Sequence, residues 1–373
     1  MGITRDMADM RGKGGGVHNF LINPDMQVAQ RGTSISMAHD GTTSSYLIDR
    51  FQFSMGGTHE QLDGTYAQVD EHPLNNGKSL KWTTGTAESS YDADEYFYLA
   101  QKIEAKNLQQ LQWGLSNAKS VTLSFYVKSS ITGTFAVGLY KEDNTARIIN
   151  KTYVISSAST WEKKTITFPA DTAGGGVAND TGIGVYLSWH LAAGSNATGG
   201  GSNGDWKTYS GLSDWADGQG TNAVATTASA TWQMAQCQLE IGNSASNFQD
   251  EGIGTTLRKC QRYFENVNWK GYVLSGNSYT TTQWVLSQVL WKVEKRTVPT
   301  LTFPTIGNSS GNVGITDSTA NLVTQGSTIR SQTTTTGASL YNNNADGYSG
   351  LDDDTVCMLY SYGDTTLKVD AEL

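Results

Sequence analysis

Short runs in which hydrophobic and polar residues alternate recur along the chain from residue 18 onward. In the stretch VTLSFYV (121–127), every second side chain is aliphatic or phenyl, and GTFAVGLY (133–140) repeats the pattern. Alternation with a period of two is typical of a strand that buries one face. Clusters of Gly, Asn, Asp and Ser separate these runs and indicate turns.

The pattern predicts strands along both halves of the chain. The predicted strands are 46–53, 79–84, 96–103, 120–130, 134–141, 151–156, 162–168, 182–189, 230–242, 284–295, 299–304, 312–317 and 356–363. The best helical candidate is 257–264, and the polar stretch 271–283 is interpreted as a loop. Strands at this spacing, separated by turn signals, predict an all-β sandwich or barrel.

Length and local composition suggest how the chain is divided. A chain of 373 residues is long enough for two domains. The first 17 residues include three consecutive glycines (14–16), which predict a flexible arm for attachment to a neighbouring subunit. A second β-rich block follows a boundary predicted near 251–264. The Gly- and Ser-rich stretch 192–205 is interpreted as a long surface loop, either simple slack or an adaptable binding loop.

Charge and hydropathy argue against two kinds of partner, nucleic acids and membranes. The net charge is −9 and the sequence pI is about 5.0, with no basic stripe, so we expect no nucleic-acid binding. No apolar run approaches the roughly 20 residues of a membrane-spanning helix, so no membrane insertion is expected. The polar N-terminal sequence is unlike a secretory signal. Three widely spaced cysteines predict neither a disulfide framework nor a zinc site.

No constellation of residues predicts catalysis. The motif GxSxG occurs around Ser202 and Ser309, but neither copy has the strand–turn–helix context of a nucleophile elbow. Two acidic clusters, at 92–95 and 352–354, could in principle hydrolyse glycosidic bonds or bind calcium, but acidic loops are more often solvated turns. We therefore predict no catalytic residue, no metal ligand and no cofactor.

Aromatic residues give the more informative signal for ligand binding, since the chain has ten Trp and 17 Tyr. Sugar rings stack their apolar faces on aromatic rings while their hydroxyls bond polar groups. Trp206, Tyr209 and Trp215 lie in a polar, Gly-rich segment and are the predicted glycan-binding residues. The alternative is that one or two of them cap the edge of a sandwich. Five other tryptophans are predicted to belong to the core or a sheet face: Trp82, Trp113, Trp161, Trp189 and Trp232.

Three stretches carry a family resemblance. NFLINPDMQVAQRGTS (19–34) is followed by YLIDRF (46–51). SVTLSFYVKSSITGTFAVGLY (120–140) follows, and QLEIGNSASNFQDE (238–251) then leads into LRKCQRYF (257–264). In this order they resemble the tail-fibre and receptor-binding proteins of tailed bacteriophages. The layout is also similar to carbohydrate-binding modules with a jelly-roll β-sandwich.

The resemblance implies a specific organisation. It implies an attachment arm at 1–17, a jelly-roll domain at 18–250 and a smaller C-terminal β-domain at 251–373. It further implies a homotrimer that is made in the host cytoplasm, is carried on the virion tail, and contacts other tail proteins and a host surface polysaccharide. Where such modules commonly hold a structural calcium, this chain has Gln27 and the stretch 236–238, although Asp25 could substitute.

Two rival functions stay open. The chain could be a purely structural virion protein, either a tail adaptor or a capsid decoration, with its exposed aromatic residues at subunit interfaces. It could also be a polysaccharide depolymerase, but such enzymes usually need a longer β-helical or barrel domain with paired carboxylates. The leading prediction is a non-enzymatic receptor-binding protein that recognises a glycan.

Overall fold

A computed structural model describes most of the chain as two compact units. The described residues are 18–38, 43–57, 59, 61–75, 77–307, 309–317, 328–342, 346, 348, 351 and 355–373. The predicted arm at 1–17 and the acidic cluster at 352–354 lie outside them. The first unit ends at Leu257 and takes in Leu373, and the second is Arg258–Glu372. The sequence places this boundary near 251–264.

The first unit contains thirteen strands within its described residues. In chain order they are β1 (Ser34–Ala38), β2 (Thr43–Tyr46), β3 (Gln52–Gly56), β4 (Asp63–Val69), β5 (Ser79–Thr84), β6 (Tyr96–Glu104), β7 (Val121–Ser129), β8 (Gly133–Lys141), β9 (Arg147–Ile155), β10 (Glu162–Phe168), β11 (Ile183–Ala193), β12 (Lys207–Thr208) and β13 (Thr231–Ile241).

These strands form two antiparallel sheets that enclose one core. The order in the six-stranded sheet is β1-β4-β5-β13-β7-β10, and the order in the seven-stranded sheet is β12-β9-β8-β11-β6-β3-β2. After β5 the chain repeatedly crosses from one sheet to the other, as in a jelly roll. The predicted all-β fold, with a jelly-roll sandwich followed by a smaller β-domain, is therefore confirmed.

Large aromatic side chains fill the space between the two sheets. Trp82, Trp113, Trp189 and Trp232 are each at most 2% exposed, whereas Trp161 is partly exposed. The Phe53 ring packs against the rings of Tyr66, Trp82 and Phe97 at centroid distances of 4.7, 5.5 and 5.4 Å. The alternating apolar positions of β7 and β8 are buried in this core, as period-two patterning requires.

One predicted strand of the first unit is interrupted. The sequence predicts a continuous strand over 46–53, but β2 ends at Tyr46 and β3 begins at Gln52. Arg50 has a left-handed φ of +73°, and the Phe51 amide donates to the Ile48 carbonyl at 3.0 Å, which closes a turn. Leu47, Ile48 and Phe51 are all buried, so a turn that enters the core carries the same apolar signal as a strand.

The second unit is built around one antiparallel sheet. The strands among its described residues are β14 (Phe264–Thr280), β15 (Gln283–Leu290), β16 (Thr300–Thr302), β17 (Val313–Asp317), β18 (Arg330–Thr333), β19 (Gly337–Tyr341) and β20 (Val356–Asp370). The order is β16-β20-β14-β15-β19-β18, and β17 also pairs with β20. Its core contains Trp269, Trp284 and Trp291.

The polar stretch 271–283 was wrongly interpreted as a loop, because residues up to Thr280 belong to β14. This strand pairs with β20 from Phe264↔Asp370 to Asn277↔Val356, with two register shifts. Gly271 has φ +67°, a conformation suited to glycine, and lies at the first shift. The long ladder with β20 supplies the pairing that the local sequence does not signal.

Helices are short. They are α1 (Ala223–Thr226) and α2 (Ile253–Gln261), with 3₁₀ turns at Ala105–Leu111, Ser195–Ala197 and Leu212–Asp214. The predicted helix at 257–264 overlaps the second half of α2. Within the described residues, no helix has the length and apolarity needed to cross a bilayer.

Candidate ligand-binding surface

The outer surface of the seven-stranded sheet carries a row of tyrosines. Odd-numbered side chains of β6, β8 and β11, such as Phe97, Leu139 and Leu187, are buried in the core. The alternate positions therefore point away from the core. Tyr96 and Tyr98 of β6 occupy such positions, as do Tyr140 of β8 and Tyr186 of β11, and all four are partly exposed. Cross-strand pairing sets Tyr186 opposite Tyr140, which concentrates aromatic rings at the centre of the sheet.

The loop between β11 and β13 lies against this outer surface and is held by two buried carboxylates. The Asp217 carboxylate accepts hydrogen bonds from the amides of Gly199 and Asn203, each at 2.8 Å. The Asp214 carboxylate binds the Lys207 ammonium at 2.6 Å and the Ser210 amide at 2.7 Å. Such hydrogen bonds to charged groups are the strong ones in proteins. The Gly-rich loop is therefore an ordered part of the surface.

Trp215 is the centre of this surface. Its ring contacts those of Tyr98 at 5.5 Å, Tyr140 at 5.6 Å and Tyr186 at 6.2 Å, all edge to face. Tyr209, from the same loop, lies 4.9 Å from Tyr140 and 6.5 Å from Trp215. We call this group the aromatic face; its members are Tyr96, Tyr98, Tyr140, Tyr186, Tyr209 and Trp215. Such edge-to-face contacts fix the rings in position.

His190 is buried beneath the aromatic face. Its ring lies 6.0 Å from that of Tyr98 and 6.1 Å from that of Trp215. Neither ring nitrogen has a hydrogen-bond partner within the described residues. Burial lowers the pKa of His190 from 6.5 to about 3, so this imidazole is neutral at pH 7. The floor of the surface is therefore uncharged.

The tyrosine hydroxyls keep their protons over the ordinary pH range. Burial raises the pKa of Tyr98, Tyr140, Tyr186 and Tyr209, with smaller contributions from Glu142 at Tyr140 and Tyr186. A neutral phenol both donates and accepts hydrogen bonds. The Lys102 ammonium lies 5.5 Å from the centroid of the Tyr186 ring. The surface thus combines apolar ring faces with hydroxyl groups, which matches the two kinds of group on a sugar.

The structure brings together two of the three predicted glycan-binding residues. Tyr209 and Trp215 belong to the aromatic face, whereas Trp206 packs against the rim of the core with its ring 5.1 Å from that of Trp113. The Trp206 indole NH donates to the Pro169 carbonyl at 2.7 Å. Trp206 thus has the geometry of an edge cap, the alternative that the sequence left open.

Sequence reasoning missed the strand-borne half of the surface. Tyr96, Tyr98, Tyr140 and Tyr186 lie in runs that were correctly predicted as strands, and their signal is the same alternation. If the apolar positions of each strand face the core, these tyrosines must all lie on the outer face of a sheet. The sequence did not show which strands are neighbours, because the order of strands in a sheet cannot be predicted from any single segment.

A separate cavity of about 500 Å³ lies against the six-stranded sheet and is lined by Asp25, Ser124, Tyr126, Lys163, Asn247 and Asp250, among others. Beside it, the Asp25 carboxylate accepts from His72 Nε2 at 3.0 Å and from Gln27 Nε2 at 3.3 Å. Burial raises the pKa of Asp25, and the hydrogen bond from His72 opposes that rise. These contacts occupy the places where the resemblance would put calcium ligands.

Comparisons with solved structures give low similarities. Tailspike protein 4 of bacteriophage CBA120, in a structure described as its enzymatically active domain, is 9% identical with a TM-score of 0.31. The match covers 60% of this chain and 21% of that one, so it spans about a fifth of the chain in that structure. The family 11 carbohydrate-binding module of the Clostridium thermocellum cellulase Lic26A-Cel5E is 10% identical with a TM-score of 0.28, over 62% and 99% of the two chains.

A third similar structure is the CBM22-1 xylan-binding domain of Xyn10C from Paenibacillus barcinonensis. It is 11% identical with a TM-score of 0.27, over 61% of this chain and 97% of that chain. No protein-family model and no curated protein sequence matches the chain. Because the three TM-scores are below 0.5, the function proposed below rests on the residues of this chain itself.

Proposed function

We propose that this chain is a virion tail-fibre or receptor-binding protein that attaches a phage to its host by recognising a surface glycan. The observation that carries the proposal is the aromatic face, in which four partly exposed tyrosines contact Trp215 and a fifth, Tyr96, stacks on Tyr98. The ordered resemblance of residues 19–34, 120–140 and 238–264 to tail-fibre proteins supports the virion role. The protein acts as a homotrimer with other tail proteins as neighbours.

The chemistry of the aromatic face suits a neutral saccharide. Ring faces can stack on the C–H faces of pyranose units, and the tyrosine hydroxyls can donate to or accept from sugar hydroxyls. The fixed edge-to-face contacts around Trp215 mean that little conformational entropy is lost on binding. A single such site binds weakly, so several copies on a fibre supply the affinity by avidity.

The test is binding of the full-length protein to purified surface polysaccharide from candidate hosts, measured by calorimetry and on intact cells. Tyr209→Ala and Tyr186→Ala remove rings from the aromatic face. Trp206→Ala is the matched control, because it removes a partly exposed ring of the same loop that packs on Trp113 and not on the aromatic face. Circular dichroism and thermal melting verify that each variant is folded.

We expect the two tyrosine variants to weaken binding at least about tenfold, which corresponds to roughly 1.4 kcal/mol per ring, while Trp206→Ala binds like the wild type. Loss of binding in the Trp206 variant alone would move the site to the sandwich edge. Unaltered binding in both tyrosine variants would refute the aromatic face as the glycan site.

A purely structural role in the virion is the second candidate, favoured by exposed apolar side chains in the second unit. Leu290 is 66% exposed, Tyr272 61% and Val298 56%. Exposed apolar groups of this kind suit contacts between subunits. Light scattering after size exclusion reports the oligomeric state. A trimer that binds no host polysaccharide from any strain the phage infects would favour this candidate.

The proposal includes the absence of enzymatic activity. Catalysis of glycoside hydrolysis needs two carboxyl groups that flank an accessible sugar. Release of reducing ends from host polysaccharide by the purified protein would contradict a binding-only role. A control at the same protein concentration after heat denaturation excludes release by contaminants that survive heating.

A further inference from the structure

Three buried side chains from two loops meet at one end of the sandwich. His59 lies between β3 and β4, and Glu88 and Glu95 lie between β5 and β6. Their exposed fractions are 6%, 3% and 1%. One ligand atom from each, a histidine nitrogen and two carboxylate oxygens, lies within 4.8 Å of the others. Burial at this depth excludes a polysaccharide substrate, so the cluster calls for a different explanation from catalysis.

The spacing of these atoms is close to that of metal ligands. His59 Nδ1 lies 3.5 Å from Glu88 Oε1 and 3.7 Å from Glu95 Oε1. Two atoms that bind one tetrahedral zinc at about 2.0–2.1 Å lie roughly 3.4 Å apart. A small movement of the two carboxylates would therefore complete three bonds to one ion.

The orientation of the His59 ring is also that of a ligand. Its Nε2 atom lies 3.3 Å from the Tyr96 carbonyl oxygen. Because a carbonyl only accepts, Nε2 is the donor in this contact, and Nδ1 is the atom that faces the two carboxylates. Metal-binding histidines commonly donate their second ring NH to a carbonyl or carboxylate, which fixes the tautomer and the ring.

Backbone amides position both carboxylates beside His59. Glu88 Oε1 accepts from the amides of Gln61 at 3.1 Å and Leu62 at 2.9 Å. Glu95 Oε2 accepts from the Asp92 amide at 2.8 Å, which leaves Oε1 directed towards His59. Within the described residues, the His59 ring is the only basic group recorded within 4 Å of either carboxylate. Two buried carboxylates next to each other are costly unless a cation compensates them.

A fourth polar group, the Tyr91 hydroxyl, lies beside the cluster. The Tyr91 ring packs edge to face on His59 at 5.4 Å. Its hydroxyl is completely buried and has no hydrogen-bond partner in the part of the chain that the structure describes. Both Glu95 and Glu88 are close enough to act on the Tyr91 hydroxyl electrostatically. A buried hydroxyl beside two carboxylates and an imidazole suits a metal ion or its bound water.

We propose that His59, Glu88 and Glu95 bind one divalent transition-metal ion of the zinc or manganese class. One imidazole nitrogen with two carboxylate oxygens suits these ions. Calcium prefers six to eight oxygen ligands, and this cluster offers too few. The ion ties the β3–β4 loop to the segment that leads into β6, where the aromatic face begins. The sequence alone predicted no metal ligand.

The competing explanation is a metal-free ion pair in which a doubly protonated His59 neutralises the carboxylates. The test uses the full-length protein after chelator treatment, titrated with Zn²⁺ and with Mn²⁺ in a calorimeter. Glu88→Gln with Glu95→Gln removes both anionic ligands but keeps an oxygen acceptor at each position. Glu240→Gln is the matched control, since Glu240 is also 3% exposed and accepts from the Ser246 amide at 2.7 Å.

We expect one ion per wild-type chain, an affinity at least about 100-fold weaker in the double variant, and wild-type behaviour in Glu240→Gln. The same stoichiometry and affinity in the wild type and the double variant, or no binding of either ion by the wild type, would overturn the metal site. If the double variant does not fold, Co²⁺ is the probe. A visible spectrum identical to that of aqueous Co²⁺ in the presence of wild-type protein also overturns the metal site.

Discussion

His190 gives this chain a defined sensitivity to acid. The imidazole lies beneath Trp215 and Tyr98, and burial holds its pKa at about 3, compared with 6.5 for a free side chain. Between these two pH values the unfolded chain binds one more proton at this site than the folded chain does. Stability therefore rises with pH across this window and is lost as pH falls from 6.5 towards 3.

The size of the stability loss follows from the lowered pKa of His190. Each pH unit within the window costs about 1.4 kcal/mol, so at pH 4.5 the penalty relative to neutral pH is about 2.7 kcal/mol. His190→Phe keeps an aromatic ring of similar size and removes the titration. It also removes two buried nitrogens that lack partners among the described residues. We therefore expect the variant to be at least as stable as the wild type at pH 7.5.

The assay is equilibrium urea unfolding of both proteins at several pH values between about 7.5 and 4.5. The exposed His18 supplies a control, His18→Asn, which should follow the wild-type curve. The difference in unfolding free energy between His190→Phe and the wild type should grow by about 2.7 kcal/mol over this range. Parallel stability curves for the two proteins would refute the claim that His190 is buried and neutral.

Three further predictions concern the framework. Trp189→Ala empties a fully buried position of the first unit and should lower its unfolding free energy by about 3–5 kcal/mol in urea. Lys295→Met removes the buried ammonium 2.6 Å from Glu265, leaves this carboxylate with the exposed Lys292 ammonium at 3.9 Å, and should cost about 3 kcal/mol; adding Glu265→Gln should recover part of this in the same assay. Gly114→Ala should lower the melting temperature, because Gly114 has φ +81° and a Cβ would overlap the backbone of Gly175; an unchanged melting temperature would contradict this geometry.

The local alternation of apolar and polar residues correctly predicted several strands of the first unit. β5 and β10 were predicted with their observed bounds, and β7, β8 and β13 to within one residue at each end. In each case, alternating side chains report one buried face, and this signal is complete within the strand. The all-β class and the crowding of tryptophans in the core follow from the same information.

Tertiary structure alone decided the features that depend on partners distant in sequence. The stretch 271–280 is a strand because β20 pairs with its residues up to Asn277 and β15 pairs with residues 276–280, although its own composition indicates a loop. Trp206 and Trp215 occur in one polar segment, yet the fold directs one to Trp113 and the other to the tyrosines of β6, β8 and β11. His59, Glu88 and Glu95 likewise meet only through loop packing. Alternation fixes which face of a strand is buried, but sheet order and loop packing come from the balance of pairing and burial over the whole chain, which no local window contains.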